Sequence, residues 1–355
     1  GIAAAVEAAR GAGARVVFDV DDLMVDPGLA RLDVIDGIRT QDLTEEMVRD
    51  HYSRIRATMA AADLCLAPTE ELASRMRQAW MPARVLPNGF DHGTLAASRL
   101  AARRRAAGAR DGLVRIGYAG GSRTHQRDFA LCADAVAGVL RARPECRLVA
   151  FRSADGARAI LDVEEFPALR GLEDRIEWRN FVPLERLPDE LARFDVNLAP
   201  LEVGNPFCEA KSELKFFEAA LAGVPTIASP TGPYRRAIRH GETGFLASTP
   251  HDWKESLERL VADAGLRGRV AGAARREVLW TYGPERRAEQ VGSLLDLLRG
   301  GRRAALAFER GALRGRDGDR ARPVRVPDHE VVFQADKLGA AEVTIVVPLY
   351  NYARH

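Results

Sequence analysis

The chain reads as an α/β protein built on two Rossmann-like, doubly wound parallel sheets, the first of them incomplete. Three observations predict this. Short apolar runs (VVFDV, DLCLAP, VRIGYAG, RLVAF, DVNLAP, PTIAS) alternate with amphipathic stretches through most of the chain. The connections are short, as βαβ units require. The loops over 120–127, 201–212 and 229–234 all follow a strand, at the edge where open α/β sheets bind ligands. At 355 residues the chain can hold two domains with their own cores.

Residues 1 to 13 read as a helix ended by Gly11 and Gly13, and Arg15 to Val20 as a buried strand running into acids. This is the later half of an α/β unit, so the chain is expected to be a piece of a longer protein. Residues 44–62 form an amphipathic helix opened by Thr44 and Glu45, Asp63 to Pro68 a strand, and Thr69 caps the next helix. Arg84 to Leu86 is extended, and Pro87-Asn88-Gly89-Phe90-Asp91 is a turn. This first region spans 1–88. Residues 89–112 carry Ala, Arg and Gly without strand character and are read as a hinge or linker.

A second domain covers 113–298. Its first strand ends at Gly120-Gly121-Ser122, and a helix runs from near Asp128 to Leu140. Strands follow at Arg147 to Phe151, Ile176 to Trp178, Asp195 to Pro200 and Thr226 to Ser229, and three helices close the domain. Residues 299–341 read as an Arg- and Gly-rich linker, and 342–355 as an apolar strand with a polar turn.

Composition is ordinary for a globular chain, with 46% hydrophobic and 29% charged residues. A net charge of +2 does not announce a nucleic-acid binder. Cys65, Cys132, Cys146 and Cys208 lack metal-ligand spacing and read as buried thiols in a reducing, cytoplasmic compartment. Neither a signal peptide nor a run of about 18 apolar residues is found.

The stretch Asn205 to Ser229, NPFCEAKSELKFFEAALAGVPTIAS, carries the chemistry. Ser212 is a good N-cap, Gly223 suits the left-handed position after a helix, and Leu214, Phe217 and Leu221 make an apolar stripe. Lys211, Lys215 and Glu218 fall i, i+4, i+7 on a neighbouring face. That suits a nucleoside diphosphate, with lysines and helix amides at the phosphates and the carboxylate at the ribose hydroxyls. Only four of the fifty-two basic residues are lysines, and two of those four are here. His125, in the first glycine-rich loop, is a second-tier candidate. An ordinary surface helix with i,i+4 charges is the competing reading. Asp19, Asp21, Asp22 and Asp26 after the first strand resemble the opening of haloacid-dehalogenase-type phosphatases, with Asp19 as nucleophile and Asp21 as general acid. Asp22-Leu23 replaces that family's Gly-Thr, and a polar strand end is preferred.

The motifs PNGFD, IGYAGGSRTH, FFEAALAGVPTIAS and GETGFLAS, in this order, resemble the retaining family-4 glycosyltransferases of GT-B fold over residues 63 to 298. The resemblance implies that Glu218 holds the ribose of a sugar nucleotide. Lys215 and Lys211 then face the diphosphate, with Ser212 beside them, and Gly120, Gly121 and Ser122 close around it. The donor is a nucleotide-diphosphate sugar, with no further cofactor and no metal. The family's second glutamate, eight residues before the ribose one, is Ala210 here, and the adjacent Glu209 is the candidate to take its role. VTIVVPLYNYARH resembles the first strand of family-2, GT-A transferases. A parent joining two transferases is implied, acting on a glycan or lipid-linked glycan in capsule or O-antigen assembly at the inner face of the membrane, without nucleic acid. A sugar-nucleotide epimerase and a non-catalytic donor-binding or scaffolding domain are the alternatives.

Overall fold

The computed structural model describes residues 2–108, 111–299 and 343–346. In chain order the elements are α1 (Ile2–Gly11), β1 (Arg15–Asp19), α2 (Asp36–Thr40), α3 (Glu45–Ala60), β2 (Leu64–Ala67), α4 (Glu70–Gln78), β3 (Ala83–Val85) and α5 (His92–Ala107). They continue with β4 (Val114–Gly117), α6 (Gln126–Ala142), β5 (Cys146–Arg152), β6 (Ile176–Asn180), α7 (Leu187–Leu191), β7 (Val196–Ala199), α8 (Pro206–Glu209), α9 (Leu214–Leu221) and β8 (Thr226–Ala228). The last are α10 (Gly232–Ala237), β9 (Phe245–Leu246), α11 (Pro250–Ala262), α12 (Ala264–Thr281), α13 (Pro284–Arg299) and β10 (Val343–Val346). Among the described residues no helix is long and apolar enough to cross a membrane.

The chain divides into two compact units. Of the described residues, the first comprises 2–31, 44–87, 288–299 and 343–346 and holds a parallel sheet in the order β10-β1-β2-β3. Val16, Val17, Phe18 and Leu64 are enclosed, as the unbroken apolar runs of a two-sided parallel sheet require. Thr44 and Thr69 accept hydrogen bonds from the amides of Met47 and Leu72, so both expected caps form. The stretch 299–341 lies outside the described residues save Arg299, and so does 342–355 save Val343–Val346, which pairs in parallel with β1.

The second unit comprises 32–43 and 88–287. Its six strands are all parallel, in the order β6-β5-β4-β7-β8-β9. Strand order therefore reverses between β4 and β7, which pair through Ile116 with Val196 and Gly117 with Asn197. The chain leaves these two strands in opposite directions, and a crevice forms beyond their carboxyl ends. One face of the sheet packs α6 and α11 through Phe129, Val136, Trp253 and Leu257. The strands approach a neighbour closely at Gly117, where a Cβ would lie 2.2 Å from the Phe194 ring.

Three local expectations differ from the structure. Residues 92–107 are a sixteen-residue helix rather than irregular, because Asp91 accepts from the Thr94 amide and Ala, Leu and Arg are strong helix formers. Its buried positions are Ser98 and Ala101, which carry no apolar periodicity to read. The acidic stretch after β5, whose sequence reads as helical, breaks into single 3₁₀ turns, with Gly156 and Gly171 at φ +75°. At α9, Glu213 rather than Ser212 is the capping residue, and Phe216 replaces the 39% exposed Leu214 on the buried face.

The start of α6 is capped from a distant stretch. The Asp36 carboxylate, on α2, accepts from the amides of Gln126 at 2.8 Å and Arg127 at 3.1 Å. Arg127 in turn donates to the carbonyls of Leu32 and Asp33.

Replacing Asp36 by Ala is expected to cost about 1–2 kcal/mol in urea unfolding, since two helix-terminal amides lose a charged acceptor. Gly117→Ala is expected to cost about 1–3 kcal/mol, through overpacking against Phe194. An unchanged unfolding midpoint in either variant would mean that cap or that contact contributes nothing.

Candidate functional site

The crevice between β4 and β7 collects the loops 118–125 and 200–213 and the first turn of α9. A buried polar anchor sets the helix there. Asn197, 1% exposed within β7, donates through Nδ2 to the Lys215 carbonyl and to the Thr226 hydroxyl, both at 3.1 Å. Strand, helix and following strand are thereby held in one register, and Lys215 is aimed at the strand ends.

The Lys215 ammonium sits 4.7 Å from the centre of the Tyr118 ring, which follows β4 and is buried. Among the described residues it forms no ion pair and no hydrogen bond through its side chain. Glu218 follows one turn deeper, and its carboxylate also takes no hydrogen bond among the described residues. Burial pulls the Lys215 pKa down to about 8, aided by the charge of Lys211 and opposed by Asp128 and Glu218. Burial pushes Glu218 up to about 7, partly offset by Lys215. Both residues are half-buried, and two groups of opposite charge without hydrogen-bond partners beside a crevice make it the candidate site. Lys211 lies beside them, its ammonium 4.5 Å from the Phe207 ring centre.

On the other side of the crevice, His125 Nδ1 and Asp128 Oδ2 are 2.7 Å apart. Burial lowers the His125 pKa, with Asp128 opposing and the two lysines adding to the shift. In the neutral ring Nδ1–H donates to Asp128, and Nε2 is left as an acceptor. Burial alone would raise Asp128, but the hydrogen bond and charge of His125 and the Glu202 amide hold it below the usual carboxylate range. Asp128 Oδ1 accepts from the Glu202 amide at 2.9 Å, and the Glu202 carboxylate accepts from Arg127 and Asn205. Asp128, Glu202 and Cys208 bring ligand atoms within 4.8 Å of one another. The two carboxylates are already engaged by hydrogen-bond donors, which argues against their serving as metal ligands.

The remaining sequence candidates fall in different places. Ser212 is anchored by the Asn88 amide, which donates to its Oγ at 3.0 Å. Ser122 Oγ pairs with Thr124 Oγ1 at 2.6 Å, and the Gly120 amide donates to the Tyr118 carbonyl at 3.1 Å. A Cβ at Gly121 would meet nothing within 4 Å, whereas one at Gly120 would meet Ile160 at 3.3 Å. The glycine-rich turn does not lead to free helix amides, since Asp36 already occupies those of Gln126 and Arg127. Glu209 accepts from Gly204 at 2.9 Å and from Gly232 at 3.1 Å, one with each oxygen. It ties two loops together. Ala210 is buried at 1% exposure.

Sequence reasoning passed over Asp36, Tyr118, Asp128, Asn197 and Glu202. Asp128 alone left a local trace, standing i+3 from His125 in a first helical turn. The others act across 18 to 97 residues of chain.

The pKa values fix a pH signature. Glu218 is raised from 4.5, so the folded state holds this proton more tightly and stability falls as pH rises from 4.5 to about 7. Lys215 is lowered from 10.5, so stability rises again between about 8 and 10.5. Urea unfolding at stepped pH is expected to show the first slope in the native chain and not in Glu218→Gln. Identical slopes in both would assign it elsewhere.

Residues 114–263 match the family model for glycosyl transferases group 1. The chain is 31% identical over 201 residues to a D-inositol 3-phosphate glycosyltransferase of Stackebrandtia nassauensis, a match covering 54% of this chain and 43% of the relative. The chain thus spans less than half the length of that curated relative. Among solved structures, the HepE protein of Anabaena in complex with UDP superposes with a TM-score of 0.57 at 16% identity, over 83% of this chain and 76% of that one. A sucrose-phosphate synthase from Thermosynechococcus elongatus gives 0.55 at 19%, over 80% and 68%. At these identities the structural likeness speaks for the fold, which is GT-B. The match to the group 1 glycosyltransferase model thus falls on residues 114–263, within the second unit of that fold.

Proposed function

We propose that the protein is a glycosyltransferase that takes a sugar from a nucleoside-diphosphate donor, with the donor seated at the β4–β7 crevice. The observation that carries this reading is the pair Lys215 and Glu218, half-buried at the strand crossover with neither charge neutralised by contact. A diphosphate supplies what Lys215 lacks, and ribose hydroxyls supply donors to Glu218. Lys211 adds a second cation. Lysines fixed at a desolvated cleft stabilise a leaving diphosphate more as its charge develops than before, and this differential drives the transfer. His125, kept neutral and oriented by Asp128, presents Nε2 on the opposite side.

The finer reading rests on the resemblance of the motifs. It is a family-4 enzyme acting with retention, on a glycan or lipid-linked glycan of surface-polysaccharide assembly, at the cytoplasmic side of a membrane. Because HepE was solved with UDP, uridine diphosphate is the first nucleotide to test.

A specific observation favours a second reading, a domain that binds donor without turning it over. Glu209 spends both oxygens on loop amides, and Ala210 offers no carboxylate, so neither position supplies an acid to the donor sugar. Release of UDP from a UDP-sugar in the presence of membrane acceptor separates the two.

Calorimetric titration with UDP, GDP and dTDP is expected to show saturable binding of one of them. Lys215→Ala should weaken it about tenfold or more, the range for hydrogen bonds to charged groups. Glu218→Ala should weaken the nucleotide but not inorganic pyrophosphate. No binding of any nucleotide would overturn the donor-site assignment.

A further inference from the structure

Helix α5 carries a cluster that the donor site does not absorb. Arg99, Ala102, Arg103 and Ala106 are spaced i, i+3, i+4, i+7 and share one face. With Arg275 of α12 they line a cavity of about 290 Å³. The alanines end at Cβ and leave the space between the guanidinium groups open.

Several arginines of this unit are matched by acids. Arg105 meets Asp195 at 2.7 Å, Arg115 meets Asp111 at 2.6 Å and Arg123 meets Asp162 at 2.8 Å. Arg99, Arg103 and Arg275 differ: among the described residues none forms an ion pair or a side-chain hydrogen bond. Arg275 Nε is enclosed without a partner. Its own burial and the charges of Arg99 and Arg103 hold its pKa below the ordinary arginine value. Three like charges around a cavity, one with an enclosed unpaired donor, are unfavourable until an anion fills the space. Guanidinium groups on two helices present forked donors from separate directions. A phosphate, with several equivalent oxygens and up to two charges, matches them better than one carboxylate.

We propose that Arg99, Arg103 and Arg275 form a second, phosphate-binding site on this unit, separate from the β4–β7 crevice. The phosphate is carried either by a soluble ester or by a lipid headgroup, and the chemistry of recognition is the same for both.

The test uses the full chain with two probes, sodium pyrophosphate and vesicles of phosphatidylcholine containing phosphatidylglycerol. Because pyrophosphate also suits Lys211 and Lys215, every measurement is made in a Lys215→Ala background. The variants are R99Q/R103Q, on exposed side chains, and R275Q. The control is R143Q/R170Q, which removes equal charge from another exposed surface. Binding of at least one probe is expected, weakened about fivefold per arginine removed in the cluster and unchanged in the control. Thermal melts check folding, and R275Q is expected to melt no lower than its parent when no anion is added. Pyrophosphate binding alone assigns a soluble ester, and vesicle binding assigns a lipid headgroup. Equal weakening by the control pair, or binding of neither probe to the parent, overturns the proposal.

Discussion

The half-buried, unpaired ammonium of Lys215 is the constraint around which the crevice of the second unit is arranged. Removing a charge from water without giving it a partner is unfavourable, so the surrounding structure must hold it in place. Asn197 does this from below by fixing the carbonyl of the same residue, and Tyr118 does it from the front with the face of its ring. Neither contact neutralises the charge. An anion taken into the crevice, as proposed above, would meet a cation already partly desolvated by the fold. That is electrostatic preorganisation in its simplest form.

The opposite wall obeys the reverse rule, with its charges matched. Asp36 occupies the amides at the start of α6, Asp128 takes His125 and the Glu202 amide, and Glu202 takes Arg127 and Asn205. In doubly wound folds that bind dinucleotides, the first helix after the first strand offers its amides to phosphate. Here a carboxylate of the same chain already occupies them. On the donor-site proposal, anion recognition falls instead to the lysine side chains at the start of α9 and in the turn before it, later in this unit's sequence.

How legible this was in the sequence depended on how local each cause is. Period-2 and unbroken apolar runs located most strands within a residue or two, and Thr44 and Thr69 declared their helices through caps three residues away. The helix over 92–107 was missed because its buried face is made of Ser98 and Ala101, small residues that leave no apolar stripe. The Lys211, Lys215 and Glu218 constellation was visible because its geometry is that of one helix and its composition stands out against an arginine-rich background. Asp36 was invisible for the opposite reason: its partners at Gln126 and Arg127 lie 90 and 91 residues away, and no spacing rule reaches that far. Glu209 shows a third case. The sequence placed a carboxylate near the donor, but only the fold shows both its oxygens spent on the amides of Gly204 and Gly232.

The chain's division of labour between its two kinds of cation gives these cases a common cause. Arginine, with a planar fork of donors, is used wherever a carboxylate or several carbonyls must be matched, as at Arg105, Arg115 and Arg127. Lysine, a compact charge on a flexible stem, stands in the crevice at Lys215 without a carboxylate partner among the described residues, as the proposed donor site requires. A matched arginine pair is a structural contact already complete in the folded chain. An unmatched cation, of either kind, is an interaction still to be made, and this is why the absence of a counter-charge is more informative about function here than the presence of charge.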